Sequence, residues 1–269
     1  MTELASLKTA PEPEPGARPS AGWWRGLASG RSIARLRLAT SPLHHAAVRH
    51  GSFSRIGADG VCHAELFAAA GEASGAALAL AFAQGQLELD PRADQRPWLW
   101  VQDKAALRLS GRPYRPGLPP ALRHRLLHVA TQTPEDALFA LEEGLRCRDL
   151  AFVIGELAGN PKALSFTASR RLSLVAEQHG VPLWLVRLDA ARDLSSARQR
   201  WQVSAAPSLP PRWNPAAPGA PGWKAELFRA RNHPPGEWIL RHDGGSLCAE
   251  PPHHGDLAGA AGDRSLAAG

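Results

Sequence analysis

Hydrophobic and polar positions fall into a regular alternation through the middle of the chain. Val61–Phe67 reads as a strand, followed by the small-residue loop Ala69–Gly75 and the run Gly75–Gln84 (GAALALAFAQ). That run is apolar on most sides, the pattern of a buried helix. Pro97–Gln102 and Leu126–Thr131 read as further strands. Thr133-Pro134-Glu135-Asp136 opens a helix that ends near Cys147. Its signals agree: a Thr N-cap, Pro at the first position, an acid three residues after the cap, and acids in the first turn. Leu150–Ile154 (LAFVI) is an unbroken apolar run, as expected of a strand covered on both faces. Thr167 caps the next predicted helix, which runs to His179 and stops at Gly180. Val181–Leu188 and Trp201–Ala206 are the last strands of this series. Strands and helices in alternation, with continuous apolar strands, predict an α/β core with a mostly parallel sheet flanked by helices.

The texture changes at both ends. The core is bounded at residues 57–207, and residues 208–222 form a Pro/Gly linker. Residues 223–243 predict a β-hairpin, with Trp223–Ala230 and Glu237–His242 joined through Asn232-His233-Pro234-Pro235-Gly236. Residues 244–269 are low in complexity and are expected to be a disordered tail. Residues 1–56 read as a flexible basic arm with one short helix at Arg31–Thr40.

Charge sharpens this division. Up to Ala58 there are 8 Lys/Arg against 3 Asp/Glu, from Asp59 to Ala206 there are 17 against 16, and beyond that 6 against 6. Between Gly16 and Ala58 lie seven arginines, Arg31, Arg35 and Arg37 among them, with no acid. Such an arm suits nucleic acid or an acidic partner, and it equally suits the unconstrained composition of an Arg-rich chain. Cys62, Cys147 and Cys248 are odd in number and form no CxxC, which predicts a reducing, cytoplasmic setting. No stretch approaches the ~18 apolar residues of a membrane span, and no signal-peptide pattern is seen. The adjacent pairs His44-His45 and His253-His254 lack the i, i+4 spacing of a helical metal site, and GxSxG is absent. No catalytic residue, metal or cofactor is expected.

The loop after the first strand carries the one suggestive motif. A phosphate loop reads G-x-x-x-x-G-K-[ST] between a strand and a helix, with lysine for the phosphates and a hydroxyl for Mg²⁺. Here the corresponding run is Ala70-Gly71-Glu72-Ala73-Ser74-Gly75-Ala76-Ala77. The final glycine is present as Gly75, but alanines replace the first glycine, the lysine and the hydroxyl.

The layout around this loop resembles the RecA core, a P-loop NTPase-type fold, with Ala69–Leu78 in the place of its phosphate loop. By that resemblance Leu150–Ile154 is the Walker B strand. Its metal-associated aspartate falls at Gly155, with Glu156 one step later, and the catalytic glutamate falls at Lys104. Three catalytic features are thus missing together. A closer resemblance rests on Glu142–Cys147 (EEGLRC), Leu164–Leu174 (LSFTASRRLSL), Ser195–Pro207 (SSARQRWQVSAAP) and Trp223–Leu240 (WKAELFRARNHPPGEWIL). These phrases are similar to the ImuA family, RecA-like accessory proteins of SOS-inducible mutagenesis and translesion DNA synthesis. That resemblance implies an adaptor partnered with an ImuB-like inactive polymerase and, through the complex, an error-prone C-family polymerase. RecA and single-stranded DNA are further candidate partners. Two rival readings stay open: an SulA-like inhibitor of cell division, and a weak nucleotide-dependent recombinase. For partner binding the sequence nominates Trp223, Phe228, Arg229, Arg231 and Trp238, whose Trp and Arg chemistry suits binding hot spots. For DNA it nominates Arg31, Arg35, Arg37, Arg198 and Arg200.

Overall fold

A computed structural model of the protein describes residues 62–89, 95–208, 211, 213–214, 216–243 and 246–250. The arm with Arg31, Arg35 and Arg37, and its expected helix, lie outside the described residues. Nine strands form one sheet: β1 His63–Ala68, β2 Trp98–Gln102, β3 Leu126–Ala130, β4 Val153–Ala158, β5 Leu183–Leu188, β6 Gln199–Ala206, β7 Gly222–Ala230, β8 Gly236–Asp243 and β9 Ser246–Glu250. Their order is β3-β2-β4-β5-β1-β6-β7-β8-β9. The first six are mutually parallel and the last three run antiparallel to their neighbours. The helices are α1 Ser74–Leu89, α2 Lys104–Ser110, α3 Pro120–Arg123, α4 Pro134–Arg146 and α5 Phe166–His179, with a 3-10 turn at Arg115–Gly117.

Strand alternation divides the core into two. Trp98, Trp100, Ile154, Trp184, Val186 and Trp201 face α1, α2 and α3, where they meet Leu78, Phe82, Ala106 and Leu122. Leu99, Val101, Val153, Leu183 and Leu185 face α4 and α5. Phe82 lies 5.3 Å from both Trp184 and Trp201, and Trp98 Nε1 donates to the Leu122 carbonyl at 2.9 Å. α1 is built of small residues and packs close. A Cβ on Gly75 would lie 2.8 Å from Ala68 Cβ and 2.9 Å from Val186 Cγ1.

Several expectations shift. The apolar run Leu150–Phe152 is buried, but the strand starts at Val153 and continues through Glu156 to Ala158. A buried glutamate broke the apolar signature there. Ser165, rather than Thr167, caps α5, accepting from the Ala168 N–H at 3.2 Å. Thr133 and Gly180 end their helices as expected. The 223–243 segment does form two strands, but they extend the core sheet: β7 pairs with β6 along its length. The tail expected to be disordered from residue 244 opens with β9, which pairs with β8. β8 is therefore paired on both sides, by β7 and by β9.

Candidate functional site

The loop after β1 sits at the carboxyl ends of the parallel strands, beside a cavity of about 380 Å³. Glu72, Ala73, Ala76 and Ala77 form one wall, and Leu80, Trp100, Leu118 and Leu188 make it apolar. Several anion-binding devices of the loop are altered. Ala70 N–H donates to Asp189 Oδ1 at 2.9 Å, so one loop amide is held by a carboxylate of the chain itself. Asp189 adopts φ 50, in the left-handed region, and its own N–H donates to the Ala68 carbonyl at 3.0 Å. The Glu72 carboxylate accepts from Ser74 Oγ at 3.1 Å and from Ala205 N–H at 2.7 Å. Ser74 is therefore turned to Glu72, and Ala76 and Ala77 pack against the core. Gly71 and Gly75 differ: a Cβ on Gly71 would meet nothing within 4 Å.

The far wall rests on β2 and β4. Gly155 and Glu156 occupy opposite faces. A Cβ on Gly155 would point into the α4 side, 2.9 Å from Leu141 Cδ2 and from Leu185 Cδ1. Glu156 instead faces the cavity and is buried. By the alternation of the strand, Glu156 rather than Gly155 is the member that faces the cavity. Glu156 accepts from Gln102 Nε2 and lies 3.0 Å from Ser110 Oγ. Gln102 is also held by the Gly111 carbonyl at 2.9 Å and by His128 Nε2 at 2.8 Å. Burial pushes the Glu156 carboxyl above the usual carboxylate range, against the lowering effect of the bonds from Gln102 and Ser110. Lys104, the expected position of the catalytic glutamate, is an exposed residue at the start of α2 and does not line the cavity. Gln102, Ser110 and Asp189 were absent from the sequence expectation. The loop motif and Glu156 pointed here, whereas these three residues arrive from other strands and turns.

The remaining nominated residues are scattered. Arg200 is 4% exposed, with Nε 2.7 Å from Glu65 Oε2. It shares that buried carboxylate with Arg187, 3.7 Å away, and Ser195 Oγ donates to Glu65 Oε1 at 2.8 Å. Arg200 is an internal ion-pair partner and is unavailable to DNA. Arg198 is half-buried and paired with Glu177. Trp223 is buried against the α1 side of the sheet. Trp238 stacks at a tilt on Trp201, 5.8 Å between ring centroids. Phe228 sits edge-on to Phe67 at 5.7 Å, under Arg192. Arg229 and Arg231 are exposed. The structure therefore does not gather the five hairpin residues on one surface. Among the described residues, no helix is long and apolar enough to cross a membrane.

No model of a known protein family matches the chain. Curated relatives that match include two proteins named Protein ImuA, from Caulobacter vibrioides strain NA1000 / CB15N and from strain ATCC 19089 / CIP 103742 / CB 15. Each is 31% identical over 185 residues, a match covering 63% of this chain and 69% of the relative.

Proposed function

The chain belongs to the ImuA family, and from that premise we propose that it acts in damage-induced mutagenesis as a non-catalytic accessory protein on a RecA-like core. In this reading it is an adaptor in translesion synthesis, joining an ImuB-like protein and an error-prone C-family polymerase. The observation that carries the non-catalytic half is the electrostatics of the cavity. Where a nucleotide's phosphates would need a lysine and a Mg²⁺-holding hydroxyl, the loop offers Ala76, Ala77 and the carboxylate of Glu72, with Asp189 bonded to the Ala70 N–H; the one cation in the described lining, Arg112, lies outside the loop. Like charge repels a phosphate there, while the N-terminus of α1 attracts it by only ~0.3–1 kcal/mol. Glu156, kept towards its neutral form by burial, is poorly suited to hold Mg²⁺.

Two measurements test the reading separately. Isothermal titration of the full chain with Mg-ATP is expected to give no saturable binding, and an ATPase assay no turnover. Micromolar Mg-ATP binding, or turnover that disappears in Glu156→Ala, overturns the non-catalytic half. Co-purification with the ImuB-like protein is expected to recover a stable complex. Its absence removes the adaptor half and leaves the first result standing.

A further inference from the structure

Between Asp103 and Glu135 the chain runs for thirty-one residues without an acidic side chain. In that stretch stand Lys104, Arg108, Arg112, Arg115, Arg123 and Arg125, with His124 and His128. Its formal charge of +6 equals that of the whole chain. The middle of the molecule is neutral only on average, because this positive block is offset by acids elsewhere. The block covers α2, the 3-10 turn, α3 and edge strand β3, the consecutive elements between β2 and α4.

Five of these cations make no ion pair among the described residues. Cations that do form ion pairs include Arg146, Arg171, Arg187, Arg192, Arg198, Arg200 and Lys224. Lys104, Arg108, Arg112, Arg115 and Arg123 take part in none of these. Lys104 and Arg108, four apart on α2, share a face, and Lys104, Arg108, Arg112 and Arg115 are all exposed. Arg115 and Arg123 donate to backbone carbonyls of Leu126 and Leu118, which fixes their position without neutralising their charge. The field is felt by His128, whose pKa is lowered by burial and then by the charges of Arg112 and Arg115.

Tyr114 lies between Arg112 and Arg115 and is 74% exposed; with Arg112 it stands at the rim of the cavity described above, which both residues line. Its ring stands over Gly117: a Cβ there would lie 3.1 Å from Tyr114 Cδ1. The turn is closed by Gly117 N–H donating to the Tyr114 carbonyl at 3.0 Å. One side of the ring thus lies against the turn while the residue as a whole stays open, with an arginine on each side in sequence. We infer that the surface formed by α2 and the following turn binds single-stranded nucleic acid, with Lys104, Arg108, Arg112 and Arg115 on the phosphates and Tyr114 stacking on a base. An exposed aromatic among guanidiniums is the combination that single strands use. An acidic protein would need the cations alone, and a duplex keeps its bases stacked away from the ring. This inference is independent of the adaptor reading, since it needs no partner protein.

Fluorescence anisotropy of the full chain with labelled dT30, between about 50 and 200 mM salt, tests it. The N-terminal arm is present in every variant, so differences report this surface. In Lys104→Ala/Arg108→Ala/Arg112→Ala, affinity at about 100 mM salt is expected to fall at least ~10-fold. The log–log salt slope should fall by about 2, at ~0.7 per phosphate contact on a single strand. Those three side chains donate no hydrogen bond within the described structure, so the melting temperature should hold. Tyr114→Ala is expected to weaken dT30 binding roughly five-fold or more with the slope unchanged, and Tyr114→Phe to restore it. Wild-type affinity and slope in both the triple variant and Tyr114→Ala overturn the inference. So does a wild-type chain that does not bind dT30. A polyglutamate peptide that competes as well as unlabelled dT30 also overturns it, and assigns the surface to an acidic protein.

Discussion

At the residue scale the interior of this protein is unusually polar on one side of β1. Glu65, Arg187 and Arg200 are buried together, and Asp193 reaches both arginines from the segment after β5. His63, fully buried on the same strand, has Nδ1 2.7 Å from Ser173 Oγ and no partner for Nε2. Desolvation dominates its titration and holds its pKa at about 4, below the ordinary 6.5, with Arg200 pushing the same way and Glu65 opposing. The folded state therefore keeps His63 neutral while the unfolded chain takes up a proton near pH 6.5. The stability linked to His63 is present above that value and is lost as pH falls towards about 4. A drop of this size is worth ~3 kcal/mol at ~1.4 kcal/mol per unit. Urea melts of wild type and His63→Gln between pH 7.5 and 4.5 should converge as the solution is acidified, because only the wild type carries this loss. Curves that stay parallel across the range would show that His63 does not titrate in this way. Glu156 works in the opposite sense, its raised pKa favouring the fold in acid and costing stability as pH rises, and the difference between the two curves cancels it. None of this polarity was visible in the sequence, where His63, Glu65 and Arg187 interrupt apolar strands as if facing solvent.

At the element scale, what was legible followed the local signals. α4 and the end of α5 were legible because Thr133-Pro134 and Gly180 are strong, local stop and start chemistry. α2 and α3 were not, because Gly111, Pro113, Pro116, Pro119 and Pro120 read as loop punctuation while the helices on either side of that run are only seven and four residues long. The phosphate-loop comparison located the cavity through Gly75, yet Gly75 itself answers to packing. Its missing Cβ lets α1 approach β1 and β5, and the nearest atom, Ala68 Cβ, sits on the backbone of a buried strand and cannot swing away. Gly75→Ala is therefore expected to destabilise by ~1–3 kcal/mol through overpacking. Gly71→Ala, four residues earlier in the same loop, has open space and should stay within ~0.5 kcal/mol of wild type. Thermal denaturation of the two variants separates the explanations: equal melting temperatures would remove the close-approach account of Gly75.

At the scale of the whole molecule the decisive feature is that the sheet does not stop at its parallel part. The Pro/Gly stretch 208–222 reads as a linker to a separate hairpin, but the strand that follows it, β7, lies antiparallel directly beside β6. The sequence carried the strands and their turn; it did not carry their partner, because pairing between strands is long-range and leaves no periodic mark. Once docked, Trp223, Ala225, Leu227, Leu240 and Ala249 join Phe82 and Trp201 in one cluster under α1. Fully burying a large apolar side chain contributes ~1.5–3 kcal/mol, so Trp223, Leu227 and Leu240 together approach the ~5–15 kcal/mol by which a domain is stable at all. A chain ending at Pro221 would bare Trp201 and Val203 and leave β6 as an open edge, which invites aggregation. It is expected to be insoluble or to unfold without a cooperative transition, so failure of that fragment to capture an ImuB-like partner would say nothing about where the partner binds. Arg229→Ala/Arg231→Ala asks that question cleanly, because both side chains are exposed and should leave the melting temperature unchanged. A fragment 1–221 that melts cooperatively near the full chain's temperature would show instead that the antiparallel strands are an appendage, and would return the partner-binding role to the segment as a whole.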